Sequence, residues 1–208
     1  MFKKILFIAA HTDDECCCAG TLSRFLEDGY DVHLSAFSYC EQDSKELGFP
    51  TNILRSEFEC SADVIGIENS NLHISNYPVR NFPEHRQKIL DDMVLIRKKI
   101  NPDLVLIPSS IDTHQDHKVI YEEGIRAFQY CTVLGYETPK NLLSKKHSCY
   151  IKLKQKHFEV KTKCRSCYKS QQKRIGMSNQ TKLTLSKFRG EQIGCEYAEV
   201  YEVLCLQI

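Results

Sequence analysis

The chain has 208 residues, 42% hydrophobic and 26% charged, with a formal net charge of +1. A chain of this length buries a substantial core as one domain, 1–208, without disulfides or a structural metal. No stretch approaches the roughly 18 to 20 consecutive apolar residues of a membrane span. The eleven cysteines are odd in number and scattered, which argues for reduced thiols and a cytoplasmic protein rather than a disulfide scaffold. In chain order, "KKILFIAA" is a charged start followed by an unbroken apolar run with a sudden polar end, the pattern of a parallel strand buried on both faces. Its apolar part is too short for a signal peptide and runs directly into "HTDDE".

"AGTLSRFLEDG" places Leu22, Phe25 and Leu26 on one helical face and stops at Gly29. "DVHLSAFS" alternates as a second strand, the segment from Thr51 to Ile65 repeats apolar residues at helical spacing, and "NLHISNYPV" reads as strand and loop. "PEHRQKILDDMVLIRKKINPD" is the clearest helix, bounded by Pro83 and Pro102. It feeds a second apolar strand, "DLVLIPSS", which ends in the polar "IDTHQDHK" before another helix, "VIYEEGIRAFQY". The remainder predicts a strand over "SCYIKLKQKHFEV", a basic helix over "KTKCRSCYKSQQKRI" and a closing strand over "AEVYEVLCLQI". This alternation predicts an α/β, Rossmann-like fold with a mostly parallel sheet between helices, a three-layer αβα arrangement.

Such sheets bind ligands at the carboxyl ends of their strands, and the two most apolar strands end in the two most polar clusters. Dinucleotide, P-loop and serine-hydrolase signatures are absent from the sequence. What remains is imidazoles and carboxylates. A catalytic divalent site uses three protein ligands and an open position, and a His/His/carboxylate set suits zinc; His11, Asp14 and His117 supply one. Asp13, between two of them, is free to take a proton from a water activated by the ion. His114, three residues before His117 and close to Asp116, would be held protonated by that acid and stabilise an oxyanion. The bland alternative makes these residues surface groups, with Asp13 or Asp14 capping the next helix.

Cys16, Cys17 and Cys18 compare poorly as ligands, because successive helical residues point about 100° apart. They read as packing. Cys164 and Cys167 form a single C-x-x-C, a weak metal or redox signal that also reads as packing. Between Lys140 and Glu191, fifteen Lys or Arg accompany only Glu159 and Glu191. That excess is either a solvated surface or an attraction for an anionic, nucleotide-linked or phosphate-bearing substrate. Nothing in it resembles a nucleic-acid reader.

"AHTDDE" resembles the A-H-P-D-D-E motif of the PIG-L/LmbE-like N-acetylglucosamine deacetylases, with Thr12 in place of proline, and "DTHQDH" resembles their H-x-D-H motif. "RSEFECSADVIGI", "YKSQ" and "YAEVYEV" are similar to further segments of that family, so the likeness spans nearly the whole chain. It implies one zinc ion, or Fe2+ in its stead, on His11, Asp14 and His117, and Asp13 as general base. It also implies His114 at the oxyanion or leaving group with Asp116 orienting it, and Arg55 holding substrate. The implied reaction removes an N-acetyl group from an N-acetylglucosamine-type sugar or conjugate. Two alternatives stand beside it: a metal-dependent hydrolase of another amide or ester bond, and an idle binder of anionic glycans. The carrier of the sugar and the oligomeric state, a homo-oligomer included, are left open.

Overall fold

The computed structural model describes residues 3–141, 146, 148–171 and 179–207. In chain order its elements are β1 (Lys4–His11), α1 (Ala19–Glu27), β2 (Asp31–Ser38), α2 (Glu41–Glu46), α3 (Ile53–Ile65), β3 (Leu72–Ile74), α4 (Arg86–Ile100), β4 (Leu104–Pro108), α5 (Gln115–Ala127), β5 (Thr132–Tyr136), β6 (Cys149–Leu153), α6 (Gln155–Cys167), α7 (Asn179–Glu191) and β7 (Tyr197–Cys205). The strands form one sheet in the order β3-β2-β1-β4-β5-β7-β6. The first five are parallel, β7 runs antiparallel to β5, and β6 at the edge runs antiparallel to β7.

β1 lies at the centre because its side chains are apolar on both faces. Ile5, Phe7 and Ala9 pack under α1, α3 and α6, while Leu6, Ile8 and Ala10 pack under α4 and α5. This is the three-layer αβα arrangement that the apolar runs predict. The chain winds from β1 toward β3 on one side and from β4 toward β5 on the other, so the strand order reverses between β1 and β4. These two strands are direct neighbours, with Phe7 opposite Leu106, and their carboxyl ends open one crevice at the switch point.

Four elements depart from the sequence expectation. "KQKHFEV" is not strand: β6 stops at Leu153 and α6 begins at Gln155. The His157 ring folds back to accept the Lys154 N–H at 3.2 Å and meets Glu27 of α1 at 2.5 Å, so a contact across the fold favours the helix. β5, with its central Gly135, the short α2 within "EQDSKELG" and α7 are further additions. Residues 172–175 of the expected basic helix lie outside the described residues. The basic excess is partly consumed in pairing: Lys161 meets Glu199, Arg189 meets Glu137, and Lys154 and Lys156 meet Glu27. Among the described residues no helix is long and apolar enough to cross a membrane.

The Phe7 ring is fully buried and stacks on Tyr136 of β5 at 4.8 Å between centroids. Phe7→Ala is expected to cost roughly 3–5 kcal/mol of unfolding free energy, as for other large aromatic deletions in cores. Denaturant titration of the two proteins measures the difference.

Candidate active site

His11 is the last residue of β1, where the chain leaves the sheet. Thr12 donates its backbone N–H to the Ser38 carbonyl at the end of β2, 3.0 Å away. A proline has no N–H to give, so the exchange of proline for threonine adds a tether as it removes a ring. Asp13 then adopts a left-handed conformation, with φ +97°, uncommon for any residue but glycine and best tolerated by Asn and Asp. That reversal turns Asp14 inward, and its Oδ2 accepts the His11 backbone N–H at 3.0 Å.

Glu15 holds this turn from below. It is wholly buried, and its carboxylate accepts hydrogen bonds from the Asp13 backbone N–H at 3.0 Å, the Ser61 hydroxyl of α3 at 2.5 Å and the Tyr168 hydroxyl at 2.7 Å. Burial raises the Glu15 carboxyl above its usual range, and the Ser61 and Tyr168 hydroxyls oppose that shift. Glu15 is absent from the residues that the sequence singles out. Its signal was available: an acid inside a buried turn needs donors.

The second cluster arrives from the end of β4. His114 is the N-cap of α5, its Nδ1 accepting the Asp116 backbone N–H at 3.2 Å. His117, one turn on, is buried beside Asp14, with Nε2 and Asp14 Oδ2 3.4 Å apart. The candidate ligand atoms of His11, Asp14 and His117 all lie within 4.8 Å of one another. The two loops predicted to meet do meet.

Each histidine is also held from behind. A carboxylate can only accept, so the His117 Nδ1–H donates to Asp112 Oδ2 and the His11 Nε2–H to Asp116 Oδ2, both at 2.8 Å. The opposite nitrogen of each ring then carries the lone pair. Carboxylate behind imidazole is the usual support of a metal-ligating histidine. Burial pulls the His117 imidazole down, but Asp14, together with the hydrogen bond and charge of Asp112, outweighs it and pushes it up to about 9. Without a metal this nitrogen takes a proton; a divalent cation in the proton's place satisfies the same two acids. The donor set therefore fits a divalent ion.

Three expectations are corrected. The Asp116 carboxylate does not sit on the His114 ring. It is engaged by His11 and by the backbone N–H groups of Arg80 at 2.7 Å and Phe82 at 3.3 Å, so it orients His11. Nor is His114 held protonated. Burial, then the neighbouring His11 and His117, drives it down to about 4. Arg55 is displaced too: it lies exposed on α3, paired with Glu59 at 3.1 Å. It does not line the cleft of about 260 Å³ above His11 and Asp13; Arg80 and Lys140 do, with Asp43, Leu54 and Gln171. Arg80 is in the left-handed region, φ +69°, fixed there by Asp116 on its N–H and by the Gln115 side-chain amide on its carbonyl.

The Asp13 carboxyl is lifted to about 6 by loss of water and then by Asp14 and Glu15 beside it. It lines the same cleft as His114. The chemistry available is a cation site, a carboxyl able to exchange protons near neutrality and an imidazole N–H. Cys16 and Cys18 are buried in the core behind the turn, as packing predicts.

Glu15→Ala strands the buried Ser61 and Tyr168 hydroxyls without their shared acceptor, at roughly 1–3 kcal/mol for each. The variant is expected to lose stability accordingly in chemical denaturation, while Glu15→Gln, which keeps an acceptor oxygen, loses less.

A family model for GlcNAc-PI de-N-acetylases, PIG-L, matches residues 6–128, more than half of the chain. The uncharacterized deacetylase YaiS of Escherichia coli (strain K12) is 28% identical over 180 residues, spanning 81% of this chain and 91% of YaiS. The teicoplanin deacetylase Orf2, solved in a zinc-inhibited form, aligns with a TM-score of 0.79 at 14% identity, over 96% of this chain and 97% of its own. N,N'-diacetylchitobiose deacetylase from Pyrococcus horikoshii aligns with a TM-score of 0.76 at 20% identity, over 98% of this chain and 84% of its own. These two structures speak for the fold. The family match spans both the β1 turn and the α5 start where the site is built, and this chain belongs to the PIG-L family of deacetylases, hydrolases that act on amide bonds.

Proposed function

We propose that the chain is a zinc-dependent deacetylase that removes the N-acetyl group from an N-acetylglucosamine-type sugar or sugar conjugate and releases acetate. The observation that carries this reading is the pair of carboxylate-backed histidines, His11 with Asp116 and His117 with Asp112, converging with Asp14. Two imidazoles and one carboxylate, with room for a further ligand, are a donor set of catalytic zinc. His11, Asp14 and His117 would hold the ion, which when bound supplies Lewis acidity toward a carbonyl and lowers the pKa of water.

The remaining steps belong to the chain's own groups. Asp13, lifted toward neutrality at the cleft floor, takes the proton of the attacking water and returns it to the departing amine nitrogen. His114 has its Nδ1 occupied by a backbone N–H, so a neutral ring presents Nε2–H as a donor to the developing oxyanion. Asp116 and Asp112 fix the orientation of the ligand rings. Arg80 and Lys140 flank the opening and suit a substrate whose carrier is anionic. Support for an amino-sugar substrate comes from the family and from the chitobiose deacetylase of similar fold.

The test incubates the purified chain with zinc and a panel of N-acetylglucosamine conjugates, N,N'-diacetylchitobiose included, and measures acetate and free amine together. Release of both in equal amount is expected. Undiminished release after thorough chelation defeats the zinc reading.

Asp13→Ala is expected to keep its zinc and lose turnover by about 10²–10⁴-fold, the usual worth of a general acid–base group. His117→Ala is expected to lose the metal itself. Asp112→Asn is expected to weaken zinc by about 10–100-fold, as for other groups behind a ligating histidine. Metal content by atomic emission and competition with a chromophoric chelator separate the three.

A further inference from the structure

Among the described residues, the thiols between α3 and α6 are a group of reactive side chains that the site does not use. α3 meets α6 and the turn that follows it in antiparallel register along three rungs. Ser61 and Cys164 lie 3.0 Å apart, Cys60 and Cys167 lie 2.8 Å apart, and Glu57 accepts the Ser170 hydroxyl at 2.6 Å and its backbone N–H at 2.9 Å. The middle rung is thus fixed on both sides. Cys60 is exposed and Cys167 half-buried, whereas the nearby Cys16 and Cys164, 3.1 Å apart, are wholly buried.

We propose that Cys60 and Cys167 are an oxidation site, a dithiol that peroxide converts reversibly to a disulfide stapling α3 to α6. The sulfurs need to approach by less than ~1 Å to reach the disulfide length of about 2.05 Å. Burial, and then the adjoining Cys60, pushes the Cys167 thiol up to about 12, so attack on the oxidant falls to the exposed Cys60. The Cys60 thiolate attacks one peroxide oxygen, the O–O bond breaks, and hydroxide leaves with Cys60 as sulfenic acid. The Cys167 sulfur, giving up its proton, then attacks the Cys60 sulfur and expels the second oxygen as water. Two thiols lose two electrons and two protons, and hydrogen peroxide becomes two waters. A dithiol reductant reverses the change by exchange.

The staple has reach within the fold. It joins residues 107 positions apart, and a cross-link closing so long a loop stabilises by restricting the unfolded chain. Cys167 also directly precedes Tyr168, whose hydroxyl holds Glu15 under the Asp13 turn. Oxidation therefore clamps the helix that braces the catalytic loop.

The test exposes the purified 208-residue chain to hydrogen peroxide, followed by intact mass, non-reducing peptide mapping and thermal unfolding. The expected product is about 2 Da lighter, as two hydrogens are lost, and carries a Cys60–Cys167 linked peptide. It unfolds at a higher temperature, and dithiothreitol restores the original mass and midpoint. Cys60→Ser, at an exposed position, and Cys167→Ser each abolish all three changes. Progression of Cys60 to the sulfinic acid, about 32 Da heavier, with Cys167 still open to alkylation, overturns the proposal. So does a cross-link that uses Cys164 in place of Cys167.

Discussion

The constraint on which the structure turns is buried negative charge. Asp14, Glu15, Asp112 and Asp116 are all removed from water within the two turns that follow β1 and β4, and isolated carboxylates in such surroundings carry a desolvation penalty of several kcal/mol each. Every one is answered by donors: backbone N–H groups for Asp14 and Asp116, hydroxyls for Glu15, imidazoles for Asp112 and Asp116. What is left over, between His11, Asp14 and His117, is a place where positive charge is favoured. A site of this kind is suited to holding a cation and to focusing its field on a substrate.

The fold exists around that concentration of charge. β1 and β4 are apolar on both faces, so they sit at the centre of the sheet, and the reversal of strand order between them leaves their polar ends side by side. The outer helices serve as braces. α3 and the turn after α6 hold Glu15 through Ser61 and Tyr168. β7 sends Glu199 to the backbone N–H of Thr21 at the start of α1 and to the buried Lys161 of α6. Residues far from the cleft thus fasten the turn that carries His11, Asp13 and Asp14, and the Cys60–Cys167 pair lies on one of those fasteners.

Much of this was legible as sequence because the signals were local. The apolar runs marked the central strands, their abrupt polar ends marked the site, and the H-x-D-H spacing placed His114 and His117 on one turn of helix. Less legible were choices between partners that the sequence alone leaves equivalent. Asp112 and Asp116 stand on either side of His114, and nothing local says that the first serves His117 and the second His11. Arg55 and Arg80 are both arginines near predicted polar loops, yet α3 turns one toward Glu59 and solvent, while the Asp116 carboxylate pins the other's backbone at the cleft. The helix that replaces the expected strand at "KQKHFEV" depends on Glu27, far away in the chain.

The sequence by itself determined the class of fold, the two polar loops that meet at the strand ends and the residue types that suit a metal there, since periodicity and spacing are properties of the chain alone. The tertiary structure decided which carboxylate supports which imidazole, that His114 is neutral rather than charged, that Glu15 is the anchor of the turn after β1, and which cations reach the cleft. Those outcomes depend on burial and on distances between segments as much as a hundred residues apart, and dielectric and proximity arise only once the chain has folded.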